Sequence, residues 1–284
     1  MSNSTQKYHT HISSQHNMLD LNLREVWKYR DLIVLFTKRS FTLLYKQTIL
    51  GPAWVFLNPL ISSLVYAFVF GGIAGIATEG VPTVLFYLCS NAIWIFFSTC
   101  VTQNATAFTA NAAVFGKVYF PRLTIPISNM ISSVIQFFVQ MILVLVVLIY
   151  YVIQGEVSPR WELWITVPLL LLHLGILGLG VGIIISSLTT KYRDLAILVT
   201  FGVQLWMYVT PIVYPMSEIG NGMMRTVLLF NPVTAPTELI RYAILGQGMV
   251  LPGYMLLSVI ETVAVMAIGV IIFNKVEKTF MDTV

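Results

Sequence analysis

Charge is what this chain has least of. Lys, Arg, Asp and Glu make up only 10% of its 284 residues, against about 25% in an ordinary soluble domain. That shortage excludes a water-solvated globule of this length, and the 57% hydrophobic content names lipid as the solvent for most of the chain. Cysteine is nearly absent. Cys89 and Cys100 share one apolar segment, and eleven residues of helix separate them by roughly 16 Å, too far for a disulfide. Both read as packing residues. No G-x-x-x-x-G-K-[ST] occurs: Gly116-Lys117 is followed by Val and has no glycine-rich loop before it, which excludes the usual P-loop cradle for ATP. No cleavable leader is legible either. The first long apolar run begins near Ala53 and lacks a small-residue cleavage site after it, so it should persist as an anchor.

What is present is a series of apolar runs. Six segments, about 53–77, 83–109, 125–152, 162–187, 195–214 and 254–273, can each cross a hydrocarbon layer that needs about 20 residues. The expected fold is an all-α polytopic membrane protein. Ahead of the spans lie a disordered polar tail (1–21, with His9, His11 and His16) and an amphipathic helix (22–50). The spans occupy 51–284. With both termini in the cytoplasm, thirteen of the sixteen Lys and Arg fall on that side, leaving Arg160, Arg225 and Arg241 outside. The positive-inside rule sets this orientation. The fifth loop, 215–253, is long and semi-apolar. Two stretches in it, "SEIGNGMMRTVLLF" and "TAPTELIRYAIL", read as short helices, each with a capping residue ahead, that re-enter toward the outer face.

Several spans carry a polar side. In the second, Asn91, Ser98, Thr102, Thr106 and Thr109 fall within about 80° of one another at 100° per residue. The third opens with Ser128, Asn129, Ser132, Ser133, Gln136 and Gln140, and the fifth carries Gln204 and Tyr208 four apart beside Trp206 and Tyr214. Neutral hydroxyls, amides and rings suit a sugar. The same groups also tie membrane helices together, as do Gly71-x-x-x-Gly75 and Gly178-x-x-x-Gly182. Both readings stand at this point. Two ionisable groups look deep, His173 and Glu261. Alone on different spans, they read as hydrogen-bonded packing groups rather than a proton relay.

The stretch 22–50 is basic and amphipathic. On one continuous helix Lys28, Arg39 and Lys46 lie within about 20° of one another; a break near Arg30-Asp31 would leave only Arg39 with Lys46. Such a helix rests in the inner headgroup layer, where basic helices commonly bind anionic lipid. It ends abruptly at Gly51-Pro52, and Trp54 opens the first span. Glycine permits the reversal, and proline suits a first helical turn. Cations and fresh N–H donors therefore converge where a phosphate could be held. Arg39, Lys46, Leu50, Gly51 and Trp54 are the candidate loading residues for a lipid pyrophosphate.

Four motifs in this order resemble a known family. "QTILGPAWVFLNPL" (47–60), "FGKVYFPRLTIPIS" (115–128), "KYRDL" (191–195) and "NPVTAPTELIRYAIL" (231–245) are similar to the membrane-spanning permease of bacterial ABC exporters of lipid-linked polysaccharides. Those exporters carry O-antigen, capsule or teichoic-acid precursors. The resemblance covers roughly 22–280. It implies a gate helix at 24–47 with Leu50-Gly51 as its loop, and periplasmic gate helices in 215–253. It also implies an ATPase-coupling helix at 111–122 with Phe115, Gly116, Lys117, Tyr119, Phe120 and Arg122 as its core. It further implies two copies of the chain with two separate ATPase chains that carry ATP and Mg, and no cofactor in this one. The channel would run between the copies, lined by rings. By position Tyr66, Trp94, Trp206, Tyr208 and Tyr214 are candidates, together with Ser98, Thr102 and Gln204 from the polar stripes. The expected location is the bacterial inner membrane; the expected partners include membrane lipid and no nucleic acid. Two rivals remain: a permease for a drug or another lipid amphiphile, which needs no sugar track, and a polyprenyl-lipid enzyme. The acids such an enzyme needs, Asp31, Asp194 and Glu261, are scattered here.

Overall fold

A computed structural model describes residues 23–46, 50–190, 192 and 194–283. The expected disordered tail with its three histidines lies outside the described residues, as do Gln47–Ile49 of the first motif and Lys191 and Arg193 of the third. Among the described residues there are helices and turns and no strand. In chain order the helices are α1 (Leu23–Lys28), α2 (Arg30–Tyr45), α3 (Trp54–Tyr66), α4 (Thr83–Ala105), α5 (Ala107–Ala110), α6 (Ala112–Phe115), α7 (Thr124–Ile153), α8 (Val167–Thr189), α9 (Leu195–Tyr208), α10 (Met223–Leu229), α11 (Thr234–Leu245) and α12 (Pro252–Thr283).

Five stretches have the length and composition to cross a membrane: Trp54–Ile73, Thr83–Ala105, Thr124–Ile153, Trp161–Thr189 and Pro252–Lys275. The first is α3 continued as a π-helix over Ala67–Ile73. The remaining expected span, 195–214, is helical only from Leu195 to Tyr208. Its 14 residues rise about 21 Å. Pro211 explains the early end: it lacks an N–H, and its ring would meet the carbonyl four residues back. The chain goes on as buried turns through Thr210, Ile212 and Val213.

At the centre stands α4, with 16 of its 23 residues buried between α3, α7 and α8. Glycine lets α8 approach on two sides. A Cβ at Gly182 would meet the Asn104 Cβ at 2.4 Å and one at Gly178 the Cys100 Cβ at 3.1 Å, while one at Gly180 would meet the Met266 backbone at 3.3 Å, on α12. The expected close-packing pair thus holds at Gly178 and Gly182. Of the other pair, Gly71 sits against Thr83, but Gly75 has open space around it and φ of +65°, so it shapes a turn and does not pack.

The amphipathic helix is not continuous. It breaks at Tyr29 (φ −96°, ψ 22°), so Lys28 leaves the register of Arg39 and Lys46. The two short helices of the fifth loop form as α10 and α11, but without the expected caps: the residues ahead of them, Gly222 and Val233, make no side-chain cap. Asn231 Oδ1 accepts the Val233 N–H instead, at 3.1 Å.

Candidate functional site

The basic helix α2 presses one face onto the bundle. Ile33, Phe36 and Thr37 are buried, and Thr37 Oγ1 donates to Ile33 O at 2.8 Å and to Ser128 O of α7 at 3.4 Å. The opposite face leaves Arg39 exposed. Lys46, also exposed, occupies the C-cap; its N–H still reaches Thr42 O at 2.9 Å, and φ is −64°. Its side chain therefore leaves the helix within about 20° of Arg39, while ψ of 130° turns the chain away. The reversal comes at Gly51, whose φ of +50° a side-chain-bearing residue adopts only with strain. This Gly51–Ala53 turn lies against α2. Leu50 and Trp54 flank it, both over 40% exposed. The five loading candidates thus gather at one surface, two cations beside a turn and an exposed indole.

The expected coupling loop divides in two. Phe115 and Phe120 are buried and stacked at 5.3 Å. Phe120 also meets Phe36 of α2 at 5.7 Å, and Phe115 meets Phe108 at 6.0 Å. Phe108 in turn touches Phe273 of α12 at 5.3 Å, and the Arg122 guanidinium lies 6.0 Å over the Phe115 ring. These rings shape the loop from inside. Gly116, Lys117 and Tyr119 form its surface, Tyr119 being 82% exposed. One aromatic core therefore serves both α2 and this loop, a union that no local pattern in the sequence marks.

Of the channel candidates, two face outward. Gln204 and Tyr208, one turn apart on α9, are exposed together with Ile197 and Phe201, while α9 buries only Val203 and Met207. An amide is costly in hydrocarbon, so this face calls for water or a protein neighbour. Trp94 is buried in its own chain, 5.7 Å from Phe97. Trp206 is a packing residue: its ring meets Phe97 edge-on at 5.2 Å, and Nε1 donates to Asn231 Oδ1 at 3.1 Å. Tyr66 OH donates to Met207 Sδ at 3.5 Å, and Tyr214 OH donates to Tyr208 O at 2.8 Å, closing the turn after α9. The half-buried hydroxyls of Ser98 and Thr102 donate to Ile95 O and Ser98 O of their own helix. Other polar groups tie helices. Asn91 Nδ2 donates to Pro59 O and Ser63 Oγ of α3, and Asn129 Nδ2 to Gln103 O and Asn104 Oδ1 of α4.

Sequence reasoning missed the most enclosed charges. Glu238 and Arg241 of α11 form an ion pair with both side chains fully buried. Arg241 NH1 donates to Pro211 O at 2.9 Å, and the guanidinium lies 4.6 Å over the Phe86 ring. Glu238 accepts the N–H groups of Met249 at 3.0 Å and Met216 at 3.4 Å. The pair binds α11 to α4 and to the turns on both sides of the short helices. The i, i+3 spacing within an apolar segment was the available signal. Nearby, Ser217 Oγ donates to Glu79 Oε1 at 2.5 Å. Deeper, Ser258 Oγ gives its proton to Pro232 O at 2.5 Å and lies 2.8 Å from His173 Nε2. That leaves His173 Nε2 to act as the donor to Ser258 Oγ, a contact that joins α8 to α12. Glu261 keeps one oxygen without a partner. Among the described residues no three His, Cys, Asp or Glu gather as a metal site.

A bundle of apolar helices with a cationic surface helix, an aromatic-cored loop and a membrane helix bearing an exposed amide defines a multi-pass membrane protein. Residues 31–245 match the ABC-2 type transporter family, and the chain belongs to it. Membership implies a permease subunit that pairs with a separate ATP-binding ABC subunit. Among curated proteins it is similar to the O-antigen export system permease protein RfbA of Klebsiella pneumoniae, 28% identical over 253 residues, 89% of this chain and 94% of the relative. The RfbA of Myxococcus xanthus is 29% identical over 217 residues, 75% of this chain and 80% of that one.

Proposed function

We propose that this chain is the permease of an ATP-driven exporter that moves lipid-linked polysaccharide, of the O-antigen class, across a bacterial inner membrane. Two copies enclose the passage and two ATP-binding chains dock beneath, with both termini in the cytoplasm. The observation that carries the cargo class is the kinship to O-antigen export permeases over nearly the full length of both chains. The geometry is consistent with a loading role for the five candidate residues. Arg39 and Lys46 stand on one exposed face, beside the Gly51 turn that leads into Trp54, and two cations match the diphosphate of a lipid carrier. The Gln204 and Tyr208 face of α9 turns to the passage, where replaceable weak contacts favour movement over retention. Tyr119 and Lys117 meet the ATP-binding chain, and the shared Phe36–Phe120–Phe115 core passes its stroke to α2.

Deletion of the chain in its own host, followed by staining of surface and intracellular polysaccharide, tests this reading. Export stops and lipid-linked glycan accumulates inside; unchanged surface polysaccharide removes the cargo assignment.

A further inference from the structure

One feature of α7 is unaccounted for by loading, coupling or helix ties. Thr124, Ser128, Ser132, Gln136 and Gln140 recur every fourth residue, each rung about 6 Å above the last and turned about 40° from it. Lipid does not receive them. The exposed face of α7 is Ile131, Ile135, Phe138, Ile142, Val146 and Ile149, whereas Thr124, Ser128 and Ser132 are wholly buried and Gln140 is 5% exposed. Of the five rungs, only Ser128 spends its side chain's hydrogen bond within the helix, on Ile125 O at 2.7 Å. Thr124 Oγ1, Ser132 Oγ, Gln136 Nε2 and Gln140 Oε1 are buried without a partner, and so is Gln103 Oε1 on α4. Asn129 holds that stretch of α4 against α7 through Gln103 O. The foot of the ladder lies under α2, where Thr37 reaches Ser128 O.

Unpaired polar atoms inside a membrane bundle are costly, and the kinds of atom left over select what would satisfy them. Gln136 Nε2 only donates, Gln140 and Gln103 Oε1 only accept, and the Thr124 and Ser132 hydroxyls do both. A cation needs acceptors throughout and an anion donors throughout; a hydroxyl, donor and acceptor at once, fits the mixture. Turning the Gln136 amide onto Gln140 would satisfy those two and leave Thr124, Ser132 and Gln103 unpaired.

We propose that the inward face of α7 is a hydroxyl-binding seam, filled by water in the resting chain and by sugar hydroxyls when a glycan is loaded beside α2. The second half rests on the exporter reading; the first does not. The test uses Ser132→Cys and Gln140→Cys, separately, in the complex with the ATP-binding partner in membrane vesicles, probed with silver ion, a small thiol reagent that travels in water. The protein is then denatured and its remaining free thiols counted. Buried Cys89 and Cys100 serve as dry controls in the same chain. Silver removes the thiols at 132 and 140 and spares Cys89 and Cys100. Equal resistance of all four means a dry seam and overturns the proposal. Gln136→Cys, at a half-buried rung, gives the same readout where a deeper variant does not insert. Adding lipid-linked glycan slows the silver reaction if sugar hydroxyls displace water; an unchanged rate overturns the sugar half alone. Silver access needs no transport, so failure of the seam and failure of the exporter reading are separately visible.

Discussion

Replacing Arg241 with methionine keeps most of the side-chain volume but removes the guanidinium that faces Glu238. The carboxylate then remains in a site where neither partner has any exposed surface, retaining only the backbone N–H groups of Met249 and Met216. Removing one member of a buried pair costs about 3–5 kcal/mol. The Pro211 carbonyl, deprived of its donor, adds ~1–3 kcal/mol. At about 2–4 °C per kcal/mol, the thermal midpoint should fall on the order of 10 °C. The double variant E238Q/R241M removes both charges and should recover most of the loss, because replacing a whole buried pair by neutral groups is often close to neutral. The assay is thermal unfolding of purified permease in one detergent, wild type beside R241M, E238Q and the double variant. A midpoint for R241M within about 2 °C of wild type, or a double variant no more stable than R241M, would refute the view that this pair clamps α11 to α4.

Further outcomes follow from contacts elsewhere in the chain. R39E/K46E should abolish surface polysaccharide while membrane insertion and melting stay near wild type, since both side chains are exposed; normal export would remove them from loading. Phe115→Asp places a carboxylate among Phe108 and Phe120 and should cost at least the ~3–5 kcal/mol of a core Phe→Ala change, seen as loss of folded protein. Tyr119→Asp should leave stability within ±0.5 kcal/mol, roughly the surface norm, yet weaken co-purification of the ATP-binding chain. Trp206→Ala should destabilise by about 3 kcal/mol through lost contact with Phe97 and Asn231. Tyr208→Ala should melt normally and slow polysaccharide export; unchanged export would take the α9 face out of the passage.

Hydropathy, charge asymmetry and turn residues are local properties of a chain, and what depends on them was legible. The helical membrane fold, a basic helix ahead of the Gly51 turn, the two short helices of the fifth loop and the motifs of an ABC-exporter permease could all be read in order. What a helix touches depends on partners far away in sequence. The shared core of Phe36, Phe115 and Phe120, and the burial of Trp94 and Trp206 in their own chain, arise only when α2, α4, α7 and α9 meet. The same holds for polar groups. A stripe of Ser, Thr, Asn and Gln has one periodicity whether it lines water or binds helices, and only the packed chain separates Asn91 and Asn129, which tie neighbours, from Gln204, which does not. Glu238 and Arg241 read as two loop charges in sequence; enclosure by α4 and the flanking turns makes them a clamp, because a charge withdrawn from water must find its counter-charge nearby.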